Sequence, residues 1–244
     1  MLQRSVPMKK TAIFLIILVL ICTVIFQFQK KENNKENRIV MAFGDSLTHG
    51  KGDKKGQEGY VDGIEEQLNQ DGKKPKVKIW NYGIPGQETD GVLKQLNDLE
   101  INSKLDKAEE FIVFIGTNDF INANGGDLKQ VHDEDIKQAK TEYISHFKKI
   151  ISILEKENKE APISVIGLYN PQEDRDAIEK HIIDWDHTIA DIVESDERIT
   201  YIPTNDLFKD KSKKDYFSDS LHPNQKGYEL ITKRILEKND FRES

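Results

Sequence analysis

Five short apolar runs, separated by longer segments of mixed polarity, restrict how this chain of 244 residues can fold more than any other feature. The runs are rich in Ile, Val, Phe and Tyr, and their apolar residues are nearly continuous rather than alternating. Runs of this kind are typical of strands that are buried on both faces. They span residues 39–43, 77–80, 111–115, 163–168 and 199–202.

The segments between these runs have the pattern of helices with one apolar face. Within residues 134–157, for example, Ile136, Tyr143, Phe147 and Ile150 recur at helical spacing. The alternation of strands and helices predicts a parallel sheet covered by helices on both faces, in one domain over residues 38–244. The helical segments span residues 60–70, 88–99, 134–157, 175–195 and 224–238.

An uncharged apolar segment, residues 11–29, precedes this domain. At 1.5 Å per residue, a helix of this length spans the ~30 Å hydrocarbon core of a bilayer. No small-residue cleavage pattern follows it, so residues 1–29 are predicted to be a retained signal anchor, with residues 30–37 as a polar tether. Basic residues flank both ends, so charge does not fix the orientation. We expect a single-pass anchor in the cell membrane with the domain outside the cytoplasm, or secretion if the segment is cleaved.

Charge and cysteine content exclude several classes of partner. The formal net charge is −7, which argues against binding to a nucleic-acid backbone. A single cysteine, Cys22, permits neither an internal disulfide nor a cysteine zinc cluster. His132 and the acidic residues after it open a helical segment, where acids favour the helix dipole, so we expect no metal there. The sequence leaves the oligomeric state open.

Candidate site residues follow four of the predicted strands, the first, second, third and fifth, and parallel strands end at one edge of a sheet, where ligands bind. Ser46 follows the first strand within Gly44-Asp45-Ser46-Leu47, and Asn118 follows the third within Gly116-Thr117-Asn118-Asp119. Gly83 follows the second strand and can present its N–H without obstruction by a side chain. Taken one at a time, these residues also fit helix caps and tight turns.

A histidine precedes the final predicted helix. In Asp219-Ser220-Leu221-His222-Pro223, the aspartate and the histidine are the ends of a four-residue turn, so their side chains can meet. The carboxylate would then fix the imidazole tautomer. The alternative is a helix start with an incidental histidine. Together, the strand ends supply a nucleophile, a base, an orienting acid and oxyanion donors, which is the set that acyl transfer requires.

These blocks resemble, in order, those of the SGNH (GDSL) hydrolase family, and the chain is most similar to its bacterial lipase/acylhydrolase members with an N-terminal membrane segment. The resemblance implies a flavodoxin-like three-layer α/β/α sandwich with a mainly parallel five-stranded sheet. It also implies hydrolysis of carboxylic esters, with Ser46 as nucleophile, His222 as base and Asp219 orienting it. The Ser46 and Gly83 N–H groups and the Asn118 amide would form the oxyanion hole, and no metal or organic cofactor is expected.

Two other interpretations stay open. A carbohydrate O-acetylesterase of the same fold would use the same residues on a different ester. A flavodoxin-like binding module without catalysis would bind a ligand, such as a flavin, and would not depend on His222. A purely structural protein at a membrane surface would leave the four blocks unexplained.

Overall fold

The computed structural model describes residues 37–53, 59–72, 75–172, 176–239 and 241. The predicted anchor and all of the predicted tether except Asn37 lie outside these residues. Among the helices that are described, none has both the length and the apolar character needed to cross a membrane.

Five parallel strands form one sheet with the order β2-β1-β3-β4-β5. This confirms the predicted α/β fold, and the strand order is that of a flavodoxin-like sheet. The chain moves from β1 to β2 on one side and then returns to β3 on the other, so the ligand site is expected at the carboxyl end of β1. The strands are β1 Arg38–Gly44, β2 Val77–Gly83, β3 Glu110–Phe114, β4 Ile163–Ile166 and β5 Ile199–Ile202.

Helices cover both faces of the sheet. α1 and α8 pack on one face, and α2, α4, α5 and α6 pack on the other, which gives the three expected layers. Two short helices, α4 and α7, lie where the sequence pattern predicted connecting segments. The helices are α1 Gly59–Asn69, α2 Thr89–Leu96, α3 Leu99–Asn102, α4 Thr117–Ala123, α5 Asp133–Glu157, α6 Asp176–Val193, α7 Lys213–Tyr216 and α8 Gln225–Lys238.

Alternate residues of β1 belong to opposite layers of the core. Val40 and Ala42 pack with the layer of α1 and α8, whereas Met41 and Phe43 pack with the layer of α5 and α6. Since both faces of the strand are covered, both sets of side chains must be apolar. Full burial of a Val, Met or Phe side chain stabilises the fold by about 1.5–3 kcal/mol, which explains the continuous apolar runs.

A buried carboxyl group lies at the start of β3, far from the carboxyl edge of the sheet. Glu110 is 1% exposed, and its Oε1 accepts hydrogen bonds from Ser164 Oγ (3.0 Å) and from Asn239 Nδ2. Its Oε2 has no hydrogen-bond partner in the described part of the chain. Burial, opposed by these two hydrogen bonds, raises the pKa of Glu110 to about 8. The group is therefore protonated in the folded protein at neutral pH.

We expect the parent protein to lose stability at alkaline pH and the Glu110→Gln variant not to show this loss. Between the ordinary pKa of 4.5 and about 8, the folded state binds more protons than the unfolded state. The free energy of unfolding therefore falls as the pH rises through this range. In urea denaturation of the 30–244 fragment, Glu110→Gln should match the parent at pH 5 and exceed it by roughly 1–3 kcal/mol at pH 9.

Glu109→Gln is the matched control, because Glu109 is the exposed neighbour and pairs with Arg38 Nε at 2.7 Å. It should show no gain of stability at pH 9. An equal effect of Glu110→Gln at both pH values would contradict the assignment of this pH dependence to Glu110.

Candidate active site

The turn after β1 brings a serine hydroxyl to a histidine that is 176 residues away. Ser46 Oγ lies 2.9 Å from His222 Nε2, and both side chains are buried. Asp45 shapes the turn, because its Oδ1 accepts from Leu47 N (2.8 Å) and its carbonyl accepts from His49 N (3.0 Å). The structure thus brings together the two residues predicted as nucleophile and base.

The loop before α8 holds His222 against Asp219, as the four-residue spacing predicted. His222 Nδ1 lies 2.8 Å from Asp219 Oδ2 and 3.0 Å from Oδ1. Burial raises the pKa of Asp219, but hydrogen bonds from the His222 and Leu221 amides and from the imidazole outweigh it, so the pKa lies below its usual value. The ionised carboxylate accepts a hydrogen bond from Nδ1–H, which leaves Nε2 as the acceptor that faces Ser46.

Neighbouring loops fix the position of His222. Ser218 N and Oγ donate to the His222 carbonyl at 2.9 and 3.1 Å, and the Tyr169 hydroxyl donates to the Leu221 carbonyl at 2.9 Å. Gly52 packs on the other side with φ +102°, and a Cβ there would lie 2.3 Å from the Pro223 carbonyl oxygen. Only glycine fits at this position.

The Asn118 side chain lies beside the serine turn. Its Nδ2 donates to the Gln87 carbonyl at 2.9 Å and to Asp45 Oδ2 at 3.2 Å. The distance to Asp45 is long for a hydrogen bond to a carboxylate, so the bond from Asn118 to Asp45 is weak. The structure therefore places the predicted oxyanion residue Asn118 against Asp45, the residue before Ser46.

Gly83 has a different environment from the one that its sequence position predicted. Its N–H donates to Asn81 Oδ1 at 2.9 Å, and a Cβ on Gly83 would lie 2.3 Å from His49 N. Gly83 therefore allows the serine turn to pack closely on the end of β2, and its amide is already engaged. This geometry does not support the predicted role of Gly83 as an oxyanion donor.

Gly86, three residues after Gly83, has a backbone N–H that is not engaged in this way. Gln87 N donates to the Ile84 carbonyl at 3.1 Å, and Gly86 has φ +82°, as in a type II turn with proline before glycine. Gly86 is exposed, and in the described part of the chain neither its N–H nor that of Ser46 donates to an acceptor. The Pro85-Gly86 pair was the signal in the sequence for this turn.

Two carboxyl groups near the serine have raised pKa values that the sequence did not indicate. Burial, opposed by the Leu47 amide, raises the pKa of Asp45 to about 7. Burial, opposed by hydrogen bonds from Thr89, raises the pKa of Asp119 to about 6. Perturbed acids that cluster beside a nucleophile are typical of functional sites.

An apolar recess lies between α4 and the loop after β4. It borders Thr117, next to Asn118, and Leu221, next to His222, and its free volume is about 10 Å³. A space of this size holds about one water or one methyl group. The recess is lined by Thr117, Phe120, Ile121, Leu128, Leu168, Tyr169, Pro171, Ile182 and Leu221.

The other histidines lie apart from this site or outside its hydrogen bonds. His181 Nε2 contacts Asp133 Oδ1 at 2.6 Å and joins α6 to the start of α5. His49 is exposed at the serine turn. Within the described ranges, no group of three or more His, Cys, Asp or Glu side chains is arranged to hold a metal ion.

Comparisons with known proteins identify the family of the chain. The family model for GDSL-like Lipase/Acylhydrolase matches residues 40–235. The chain is 30% identical over 235 residues to the uncharacterized protein YpmR of Bacillus subtilis strain 168, covering 91% of this chain and 92% of that protein. It is 25% identical over 198 residues to the spore germination lipase LipC of Bacillus licheniformis, covering 80% and 92%.

Solved structures share the fold. The lipase Lip_vut3 from a goat rumen metagenome superposes with a TM-score of 0.76 at 23% identity, over 84% of this chain and 99% of that one. The acetylxylan esterase Axe2 from Geobacillus stearothermophilus superposes with a TM-score of 0.65 at 16% identity, over 85% and 96%.

Proposed function

Since the chain belongs to the GDSL-like lipase/acylhydrolase family and is a serine hydrolase of carboxylic esters, we propose that Ser46, His222 and Asp219 form its catalytic triad. One observation carries this assignment. Ser46 Oγ, the His222 ring and the Asp219 carboxylate form a continuous chain of hydrogen bonds, with Nε2 facing the hydroxyl and Nδ1 facing the acid.

Acylation follows from this chain of bonds. His222 Nε2 accepts the Ser46 proton while Oγ attacks the ester carbonyl carbon, and the carbonyl oxygen becomes an oxyanion. Asp219 stabilises the imidazolium that forms. The C–O bond to the alcohol then breaks as His222 gives the proton to the leaving oxygen. The acyl group stays bound to Ser46 Oγ.

Deacylation repeats the same steps with water. His222 Nε2 takes a proton from a water molecule that attacks the acyl carbon, and it returns this proton to Ser46 Oγ as the acid leaves. The burial of Ser46 and His222 favours acylation, because bulk water competes little for their hydrogen bond.

For the oxyanion, we propose three donors: the Ser46 N–H, the Asn118 amide and the Gly86 N–H. Gly86 replaces the predicted Gly83, because the Gly83 N–H is taken by Asn81 Oδ1. Asn118 can give up its long bond to Asp45 for a shorter one to a full negative charge. A crystal structure with a bound phenylboronic acid tests this choice, since a boronate oxygen against the Gly83 N–H would contradict it.

We expect Ser46→Ala and His222→Ala to lose ester hydrolysis by at least about 10³-fold while staying folded, because both residues lie in connecting segments. The measurement is hydrolysis of p-nitrophenyl acetate by the 30–244 fragment, with circular dichroism as the test of folding. A fluorophosphonate should label the parent and not Ser46→Ala.

His49→Ala is the matched control for these variants. His49 is exposed three residues after Ser46 and makes no side-chain hydrogen bond within the described residues. It should keep labelling and hydrolysis. Full activity in a folded His222→Ala variant would refute the triad.

The apolar recess indicates the size of the acyl group. It is lined by Thr117 and Leu221, the sequence neighbours of Asn118 and His222, and its free volume is about 10 Å³. We propose that it receives the acyl group, for which a space of this size suits a methyl group. We therefore propose short acyl esters as substrates, which suits acetylated carbohydrates as well as small aliphatic esters and disfavours long-chain lipids.

We expect kcat/KM to fall by about tenfold or more from p-nitrophenyl acetate to p-nitrophenyl octanoate. A methylene that does not fit a small hydrophobic pocket lowers transition-state binding by about 1–3 kcal/mol. Ile121→Ala, which widens the recess, should shift the preference to longer chains. Ile183→Ala, a change on the exposed side of α6, should not. A parent enzyme that prefers palmitate would contradict the proposal and favour a lipid substrate. A comparison of kcat/KM for acetylated xylose and for p-nitrophenyl acetate then shows whether the enzyme prefers sugar esters or simple esters.

We further propose that residues 1–29 anchor the enzyme in the cell membrane, with the catalytic domain outside the cytoplasm. The support is the length and apolar character of residues 11–29 and the lack of a cleavage pattern after them. In bacterial cells, the full-length chain should sediment with membranes and resist a carbonate wash, whereas the 30–244 fragment should not. Recovery of the chain from the medium with a new N-terminus would instead support secretion.

A further inference from the structure

The loop before α2 is tied to the first turns of α4 by three consecutive residues. The Gln87 carbonyl accepts from Asn118 Nδ2 at 2.9 Å, and Glu88 Oε1 accepts from Asn122 Nδ2. Thr89 donates twice to Asp119: its N–H lies 3.1 Å from Oδ2, and its hydroxyl lies 2.5 Å from Oδ1. This loop carries Gly86, and the turn of α4 that it meets carries Asn118.

The position of Asp119 is unfavourable for an ionised carboxylate. Its side chain faces the fully buried Thr89, and no lysine or arginine in the described part of the chain forms an ion pair with it. Burial outweighs the hydrogen bonds from Thr89 and disfavours the charged form. An asparagine would avoid the buried charge, but its NH₂ group would replace Oδ2, which accepts the Thr89 N–H at 3.1 Å.

We propose that Asp119 is a positioning residue for ester hydrolysis, which acts through Thr89 to hold the Gly86 loop at a fixed distance from Asn118. This inference rests on the proposed function, since Gly86 and Asn118 are the oxyanion donors named there. Asp119 touches no reacting atom. Its effect is geometric, because both donors must lie about 2.7–3.1 Å from one oxyanion. A displacement of about 1 Å can cost about 10²-fold in rate.

The test compares Asp119→Asn and Thr89→Val with Thr89→Ser. Asp119→Asn puts an NH₂ group where Oδ2 accepts the Thr89 N–H. Thr89→Val removes the hydroxyl that donates to Asp119 and lies 3.4 Å from His146 Nδ1, whereas Thr89→Ser keeps both contacts. We expect kcat for p-nitrophenyl acetate to fall about 10- to 100-fold in the first two, with KM changed less than about threefold. Thr89→Ser should stay within about threefold of the parent. Asp90→Asn, an exposed change on the same helix, is the control that should leave kcat unchanged.

Two further readouts separate positioning from mere packing. Phenylboronic acid, which forms a tetrahedral adduct on the serine, should lose affinity by the same factor as kcat. The double variant Asp119→Asn/Thr89→Val should be no slower than the slower single variant, because both act through one contact. If Asp119→Asn fails to fold, the comparison of Thr89→Val with Thr89→Ser carries the same test.

Two outcomes in Asp119→Asn or Thr89→Val would overturn the inference: an unchanged kcat with only a lowered melting temperature, or a rise in KM alone. A loss of kcat in Thr89→Ser equal to that in Thr89→Val, or additive losses of kcat in the double variant, would also overturn it. Failure of the proposed function has a different signature, which is hydrolysis that survives in Ser46→Ala. Normal labelling of Ser46 together with unchanged kcat in Asp119→Asn would reject the positioning role alone.

Discussion

The common direction of the five strands is the constraint on which the site depends. Because every strand is parallel to its neighbours, all five carboxyl ends lie at one edge of the sheet. The serine turn after β1 therefore lies between the loops that follow β2 and β3. The final helix α8 packs against α1 on one face, which brings the loop before it back to the same edge. Ser46 and His222 meet there across most of the length of the chain.

Polar groups at this edge are held by one another before any substrate arrives. Asn118 joins Asp45 to the Gln87 carbonyl, Asp119 holds Thr89, and Asp219 holds His222. Such preorganisation lowers the cost of arranging donors when charge develops on the substrate. This arrangement requires that the Asp45 and Asp119 carboxyl groups be buried, which raises their pKa values.

Sequence patterns were sufficient for the fold and for the expectation that Ser46, His222 and Asp219 meet. The apolar runs predicted all five strands, because a strand covered on both faces can contain few polar residues. Asp219 and His222 were found because a four-residue turn joins them directly. Gly83 was assigned from its place after a strand, and nothing local in the sequence indicated that Asn81 would use its amide. The short helices α4 and α7 were missed because a few residues give no clear periodicity.

The sequence by itself determined which residues form strands, which faces of the helices are apolar, and which side chains can act as nucleophile, base and orienting acid. These properties depend on local periodicity, residue chemistry and turns of a few residues. The tertiary structure decided which backbone amides at the sheet edge have acceptors and which do not, which carboxyl groups are desolvated, and how the Gly86 loop is tied to α4. Those properties depend on contacts between segments that are far apart in the chain, and a single sequence does not encode such contacts in any local pattern.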